Sequence, residues 1–293
     1  KYTQMLNSDG GIETDLTVIC IEKNYFRIVS SAANREHDKF HILKHISKDV
    51  ELIDVTEDYC CLGLFGPKSR EMISSISSDD FSYENFKFAT GKLVKINDVE
   101  VWAQRISYVG ELGFELYVKK ENALKLFDIL MDKGKTYKIS LCGMHAMDIM
   151  RMESGYLHWG HDISPEENQF EAGLNFAVSF KKNINFIGRA ALEKKRDQKD
   201  HKKFKMLILN NSKEGAPLLL HDEPIYLKDK IVGRTTSGCY SFNYNKNLAF
   251  GYINSGLSSD QIDKQPFEIE VEKKKYPASV ITRPLNDKKL SSL

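Results

Sequence analysis

Apolar and polar positions alternate along the first thirty residues in the way that extended backbone requires. Tyr2-Thr3-Gln4-Met5-Leu6 reads as a strand, and Leu16, Val18 and Cys20 alternate with Thr17 and Ile19. Between the two lies Asn7-Ser8-Asp9-Gly10-Gly11, strong turn chemistry because glycine reaches positive φ without a steric penalty. Residues 16–21 and 25–31, joined at Glu22-Lys23-Asn24, predict a hairpin. Residues 32–47 place Ala32, Ala33, Phe40, Ile42, Leu43 and Ile46 among charges and predict a helix.

A second α/β unit follows. It has a strand over 59–65, a break at Gly66-Pro67, a short helix over 69–77 and strands over 93–96 and 99–106 around an Asn97-Asp98 turn. A strand over 114–118 and helices over 121–133 and 140–154 complete it. Past residue 200 the pattern changes to short strands (204–209, 224–227, 230–235, 248–253, 267–271, 275–281) with hardly any helix. The fold class expected is α+β, with mixed strands and helices followed by a C-terminal β-barrel or sandwich. The join is charged, Glu193-Lys-Lys-Arg-Asp-Gln-Lys-Asp-His-Lys-Lys203, and reads as a solvated helix end plus linker. We therefore expect one domain over 1–198, built of two α+β subdomains, and a second over 199–293.

Composition narrows the classes. The 293 residues carry 42 Lys and Arg against 41 Asp and Glu, a net charge of +1, so there is no global bias toward nucleic acid or an anionic membrane. A hydrophobic fraction of 41% with 11% aromatic residues is that of a folded soluble protein, and no apolar run approaches a membrane span of roughly 18–20 residues. No signal peptide is visible, and a chain that opens at Lys1 and enters a strand at once is expected to be a piece whose upstream part is missing. The five cysteines (Cys20, Cys60, Cys61, Cys142, Cys239) form no Cys-x-x-Cys pair, which disfavours a zinc site or a secreted disulfide framework and favours a reducing compartment.

Candidate chemistry is concentrated in two stretches. Asp15 stands at the mouth of the strand that follows the Gly-Gly turn; by spacing alone it is a strand-end carboxylate or a catalyst. In Ser107-Tyr108-Val109-Gly110-Glu111-Leu112-Gly113-Phe114-Glu115, two glycines three apart predict a tight turn holding Tyr108 and Glu115 near one pocket. A carboxylate there can accept two parallel N–H bonds from an aminopyrimidine ring, and an aromatic ring can stack on its face; a plain hairpin with polar ends is the other reading. His37, His41 and His45 recur at i, i+4, i+8, but no carboxylate with general-base spacing accompanies them and His-Glu-x-x-His is absent, so a solvated or half-buried face is expected and no metal site. His158 and His161 are expected to pack or hydrogen-bond. A phosphate loop, a Rossmann fingerprint and a Ser-His-Asp set are all lacking.

The two stretches together resemble the folate-binding aminomethyltransferase family, the T-protein of glycine cleavage and its relatives. Met5-Leu-Asn-Ser-Asp-Gly-Gly-Ile-Glu-Thr-Asp15-Leu and Tyr108-Val-Gly-Glu-Leu-Gly-Phe-Glu115 carry the resemblance most directly. Leu62-Gly-Leu-Phe-Gly-Pro67, Ala146-Met-Asp-Ile-Met-Arg-Met-Glu-Ser-Gly-Tyr156, Phe186-Ile-Gly-Arg-Ala-Ala-Leu192 and Asn247-Leu-Ala-Phe-Gly-Tyr252 extend it in the family's order over nearly the whole chain. Thr14-Asp15-Leu16-Thr17-Val18 and His158-Trp-Gly-His-Asp-Ile163 are similar to the C-terminal half of sarcosine and dimethylglycine dehydrogenases. Free-standing T-proteins usually carry Arg where Met147 stands, which disfavours that branch and its lipoyl-protein partner. A non-catalytic folate-binding module is disfavoured because residues 182–189 lack the "KGCY.GQE" motif of such relatives.

The resemblance implies a cloverleaf of α+β subdomains and a C-terminal barrel binding tetrahydrofolate. It implies Asp15 as the catalytic carboxylate and Tyr2, Tyr108 and Glu115 as cofactor-binding residues. An upstream flavin domain, holding FAD outside this sequence, would oxidise a small N-methyl amine to its iminium, or formaldehyde derived from it; tetrahydrofolate would capture that product as 5,10-methylenetetrahydrofolate. The charged join gains a second reading, a docking strip for a folate polyglutamate tail. The rivals are a stand-alone aminomethyltransferase, a folate-dependent demethylase acting on a sulfonium or aryl ether, and the non-catalytic module. The expected compartment is bacterial cytoplasm, or mitochondrial matrix in a eukaryote.

Overall fold

The computed structural model describes residues 1–198, 201–211 and 213–293. Lys199 and Asp200 of the charged join, and with them the expected domain start at 199, lie outside the described residues. The chain divides into two compact units, residues 1–38 with 151–286 and residues 39–150 with 287–293.

In the first unit, strands β1 (Tyr2–Leu6), β2 (Ile12–Glu22) and β3 (Tyr25–Val29) form an antiparallel sheet in that order. The β1–β2 turn closes on the Asn7 side chain, whose Oδ1 accepts from the Asp9 N–H at 3.0 Å and the Gly11 N–H at 2.8 Å. Gly10 has φ +80°, and a Cβ on Gly11 would collide with the Pro165 carbonyl, so both glycines are required by geometry. Along β2 the buried positions are Ile12, Thr14, Leu16 and Ile19, while Cys20 is exposed. The expected face of Leu16, Val18 and Cys20 therefore does not persist: β2 pairs with β1 up to Thr17 and with β3 from Thr17 onward.

Helix α1 (Arg35–His45) forms where residues 32–47 predict one. Phe40 is 70% and Leu43 52% exposed, and the buried residue of the helix is Asp38. The anchor is polar: the Thr14 hydroxyl donates to Asp38 Oδ2 at 3.3 Å and satisfies the carboxylate.

The second unit is built on a four-stranded antiparallel sheet. It comprises β4 (Tyr59–Phe65), helix α2 (Ser69–Ser74), β5 (Gly91–Ile96), β6 (Val99–Gln104), β7 (Gly113–Lys119) and helix α3 (Ala123–Gly134), with strand order β4-β7-β6-β5. Asn97 takes φ +50° in the β5–β6 turn, where Asn-Asp predicts it. One sheet face carries the core: Leu64, Val94, Ile96, Val101, Ala103, Phe114, Leu116 and Val118, covered by Met72 and Ile73 of α2 and Leu126 and Leu130 of α3. Phe81 and Phe86 each approach Phe114 at 5.3 Å between ring centroids. Full burial of each such ring contributes roughly 1.5–3 kcal/mol. The other face carries the odd-numbered residues of β4 and β7, among them Glu115.

Helix α4 (Met144–Glu153) and α5 (Arg189–Arg196) precede the barrel. Strands β8 (Lys203–Leu209), β9 (Pro224–Leu227), β10 (Lys230–Ser241), β11 (Lys246–Ile253), β12 (Phe267–Val271) and β13 (Lys274–Ile281) close a barrel in the order β10-β11-β8-β13-β12-β9, with the short helix α6 (Ser259–Ile262) between β11 and β12. Its core is Leu207, Leu209, Ile225, Ala249, Ile253, Phe267, Ile269 and Ala278. The mixed α+β domain followed by a barrel is the fold class the sequence predicts.

Strand β10 runs six residues beyond the expected 230–235. The polar run Thr235-Thr236-Ser237 reads as a strand end, but a bulge between Thr235 and Ser237 carries the strand through. All five cysteines are free. Among the described residues no helix is long and apolar enough to cross a membrane.

Candidate functional site

Asp15 sits in the first unit on β2, directly across from Gln4 of β1. Residues 2 and 4 of β1 share a face with residues 17 and 15 of β2, so Tyr2 lies diagonal to Asp15. Its hydroxyl donates to Asp15 Oδ2 at 3.0 Å. Burial pushes the Asp15 carboxyl above its ordinary value; the Tyr2 donation opposes this and the nearby Asp38 charge adds to it. Asp15 has no ion pair among the described residues, and the buried Gln4 Nε2 has no hydrogen-bond partner. Tyr2 is 41% exposed and stacks at 6.3 Å on Phe176, itself 75% exposed. The set is a desolvated carboxylate with one oxygen held, an unused amide donor across the strand pair, and an open aromatic platform beside it.

Behind Asp15 lies a second polar layer. His37 Nδ1 meets Asp38 Oδ1 and its Nε2 meets Glu13 Oε2, both at 3.1 Å. The hydrogen bond to Asp38, joined by that to Glu13, raises the His37 pKa. One of these partners is the next residue in sequence and the other comes from β2, so the pairing is not one that helical spacing shows. Trp159 reaches the same strand, its Nε1 donating to the Ile12 carbonyl at 3.0 Å, with its ring 6.0 Å from His37.

The Trp159 segment is held by a fully buried pair. Arg151 and Asp162 form a salt bridge at 1% and 0% side-chain exposure. Asp162 also accepts from the His158 N–H at 2.9 Å, Thr236 Oγ1 at 2.5 Å and Ser237 Oγ at 2.8 Å, while Tyr252 donates to its carbonyl at 2.8 Å. Two consecutive residues reach one carboxylate because the β10 bulge breaks the alternation. His158 and His161 pack ring to ring at 4.7 Å. Among the described residues no group of three or more His, Cys, Asp or Glu is placed to hold a metal ion.

Glu115 lies in the second unit, in the middle of the four-stranded sheet, on the face away from that unit's core. The Tyr117 hydroxyl, two residues on and on the same face, donates to Glu115 Oε2. Burial raises the Glu115 pKa and the Tyr117 donation opposes it. Tyr108 is half-buried in the β6–β7 loop. That loop is braced by the Val109 N–H to Ser107 Oγ at 3.2 Å, by Gly110 at φ +69°, and by the Leu112 carbonyl, which accepts from the Gly66 N–H at 2.8 Å and the Ser69 hydroxyl at 3.1 Å.

The structure thus joins Tyr2 to Asp15 in one unit and carries Tyr108 and Glu115 on a loop and a strand of the other. Sequence reading missed Tyr117, Gln4, the Glu13–His37–Asp38 layer and the Arg151–Asp162 pair. Tyr117 had a signal, since it is i+2 from Glu115 on a strand; the others depend on strand register or on contacts distant in sequence.

Comparison with known proteins identifies the family. Residues 1–182 match the GCVT N-terminal domain and residues 202–287 the glycine cleavage T-protein C-terminal barrel domain. The chain is 34% identical over 291 residues to human mitochondrial dimethylglycine dehydrogenase, which covers 97% of this chain and 33% of that protein. It is 30% identical over 284 residues to an aminomethyltransferase of Anoxybacillus flavithermus, covering 97% of this chain and 76% of that one. The crystal structure of aminomethyltransferase T of the glycine cleavage system from Bartonella henselae superposes with a TM-score of 0.83 at 21% identity, over 98% of this chain and 76% of that chain. The chain therefore spans about a third of the length of the dehydrogenase it matches.

Proposed function

Since the chain belongs to the glycine cleavage T-protein family of folate-dependent aminomethyltransferase-like proteins, we propose that it transfers a one-carbon unit to tetrahydrofolate, as the C-terminal part of a flavin-linked N-methyl amine dehydrogenase. The observation that carries this reading is the Asp15 environment. A methylene iminium is cationic, and a desolvated carboxylate without a cation of its own is a strong partner for such a charge. The raised pKa also makes Asp15 a better proton acceptor than an exposed aspartate, which suits removal of the proton from an attacking amine nitrogen. Tyr2 fixes one oxygen and leaves the other for this work.

Tetrahydrofolate, when bound, supplies the nucleophilic nitrogens. Glu115 and Tyr108 fit its ring: a desolvated carboxylate matches an aminopyrimidine edge through two parallel N–H bonds, and an aromatic side chain offers a stacking surface. Much of the acceleration would come from holding electrophile and nucleophile together.

The test uses the protein together with its amine-oxidising partner domain. Asp15→Asn is expected to keep tetrahydrofolate binding and amine oxidation while releasing formaldehyde in place of 5,10-methylenetetrahydrofolate. An undiminished yield of methylenetetrahydrofolate from that variant overturns the assignment. The second reading, a stand-alone aminomethyltransferase, draws on the match that covers three quarters of such a protein. It predicts transfer from an aminomethyl-lipoyl carrier protein and none from an oxidised N-methyl amine.

A further inference from the structure

The sheet face that carries Glu115 holds an unclaimed polar group. Strand register places Gly63, Glu115, Gln104 and Gly91 in one row across β4, β7, β6 and β5. Directly opposed residues of an antiparallel pair project to the same side with Cβ atoms about 4.5–5.5 Å apart, so Gln104 stands beside Glu115. Gln104 is 3% exposed, and its Oε1 is buried with no hydrogen-bond partner. A buried unsatisfied carboxamide oxygen costs about 1–3 kcal/mol unless something donates to it.

Aromatic rings lie over the two ends of the row. A Cβ on Gly63 would meet the Phe65 ring at 2.5 Å, and a Cβ on Gly91 would meet the Trp102 ring at 2.9 Å. The two end positions are therefore glycine so that an aromatic ring can lie over each, one on either side of the Glu115–Gln104 pair. The next row supplies Tyr117, whose hydroxyl donates to Glu115 Oε2; the second lone pair of Oε2 and both of Oε1 stay available to a ligand. Gly63 and Cys61, at the β4 edge, are exposed.

A pterin presents two edges to such a row. Its 2-amino and N3–H groups suit the carboxylate. The neighbouring edge displays N1, an acceptor, and N8, which carries a hydrogen only when the ring is reduced. A carboxamide offers one donor and one acceptor and matches N1 and N8–H together; against an oxidised ring it faces two acceptors and its oxygen stays unsatisfied.

We propose that Gln104 is a further ligand-contacting residue that accepts the N8–H of the bound ring and so selects reduced over oxidised folate, with Tyr117 as the positioning residue for Glu115. This rests on the folate reading above and adds to it the determinant of the ring's oxidation state.

The experiment titrates the chain with 5-formyltetrahydrofolate and with folic acid, following ligand binding by intrinsic fluorescence. Wild type is expected to prefer the reduced ligand, and Gln104→Leu to lose about tenfold to hundredfold in affinity for it while its affinity for folic acid moves less than about threefold. Tyr117→Phe is expected to shift upward the pH below which the reduced ligand is released, because the lost donation no longer holds Glu115 ionised. Gln104→Met repeats the first measurement with a flexible apolar side chain in case leucine disturbs the sheet. A preference unchanged in Gln104→Leu or Gln104→Met, or equal losses for both ligands, overturns the inference alone. Wild type binding neither ligand overturns the folate reading with it.

Discussion

Asp15 and Glu115 are placed alike although they lie in different units. Each is a desolvated carboxylate without an ion pair among the described residues, each has one oxygen held by a tyrosine hydroxyl, and each faces a glutamine across a strand pair with a polar atom unused. For both, burial raises the pKa against the tyrosine's donation. The consequence for stability follows from the sign. A carboxyl whose folded pKa lies above its unfolded value destabilises the fold once ionised: the penalty is absent below the unfolded pKa, builds as pH rises through that window, and is complete above the folded pKa. Asp15→Asn is therefore expected to raise the melting temperature at pH 7, by about 0.5–2 kcal/mol of stability, with the gain fading in titrations below the ordinary aspartate range. For Glu115→Gln we expect a loss of about tenfold to hundredfold in tetrahydrofolate affinity, measured by calorimetry. The affinity of wild type should fall with acidification earlier than an exposed glutamate would dictate, because the raised pKa brings protonation in at higher pH.

At the scale of the element, the instructive cases are those where local pattern and tertiary use disagree. Helix α1 exists where its residues predict it, yet Asp38 is its inward anchor while Phe40 and Leu43 stand exposed, since Thr14 and His37 satisfy the carboxylate. Strand β10 continues past a polar run because Thr236 and Ser237 are spent on Asp162, to which no sequence period points. That carboxylate and Arg151 tie the Trp159 segment to the barrel. Asp162→Ala leaves a buried guanidinium unpaired and is expected to cost about 3–5 kcal/mol, read from urea or thermal unfolding. The β1–β2 turn makes a second point. Gly11→Ala drives a Cβ into the Pro165 carbonyl and should shift β2, so that tetrahydrofolate transfer falls together with stability.

Over the whole molecule, ligand linkage gives the broadest check. Tetrahydrofolate at a hundredfold excess over its Kd should stabilise the chain by about 2.7 kcal/mol, and a scan showing no shift would remove the basis for every site assignment made above. The order of elements, the α+β character of the first part, the barrel strands and the turn residues Gly10, Gly11 and Asn97 were legible in the chain because they depend on local φ/ψ preference and on periods of two and 3.6. Candidate acids were legible as residue types at motif spacing. Their environments were not: which oxygen of Asp15 is held, which face of α1 turns inward, that Gln104 stands beside Glu115, and that Arg151 meets Asp162 are all set by strand register and by contacts between residues far apart in sequence. Sequence by itself determined the elements and the kind of chemistry they carry. Only the tertiary structure decided desolvation and partnership, because both depend on what the fold brings within a few ångströms of a side chain.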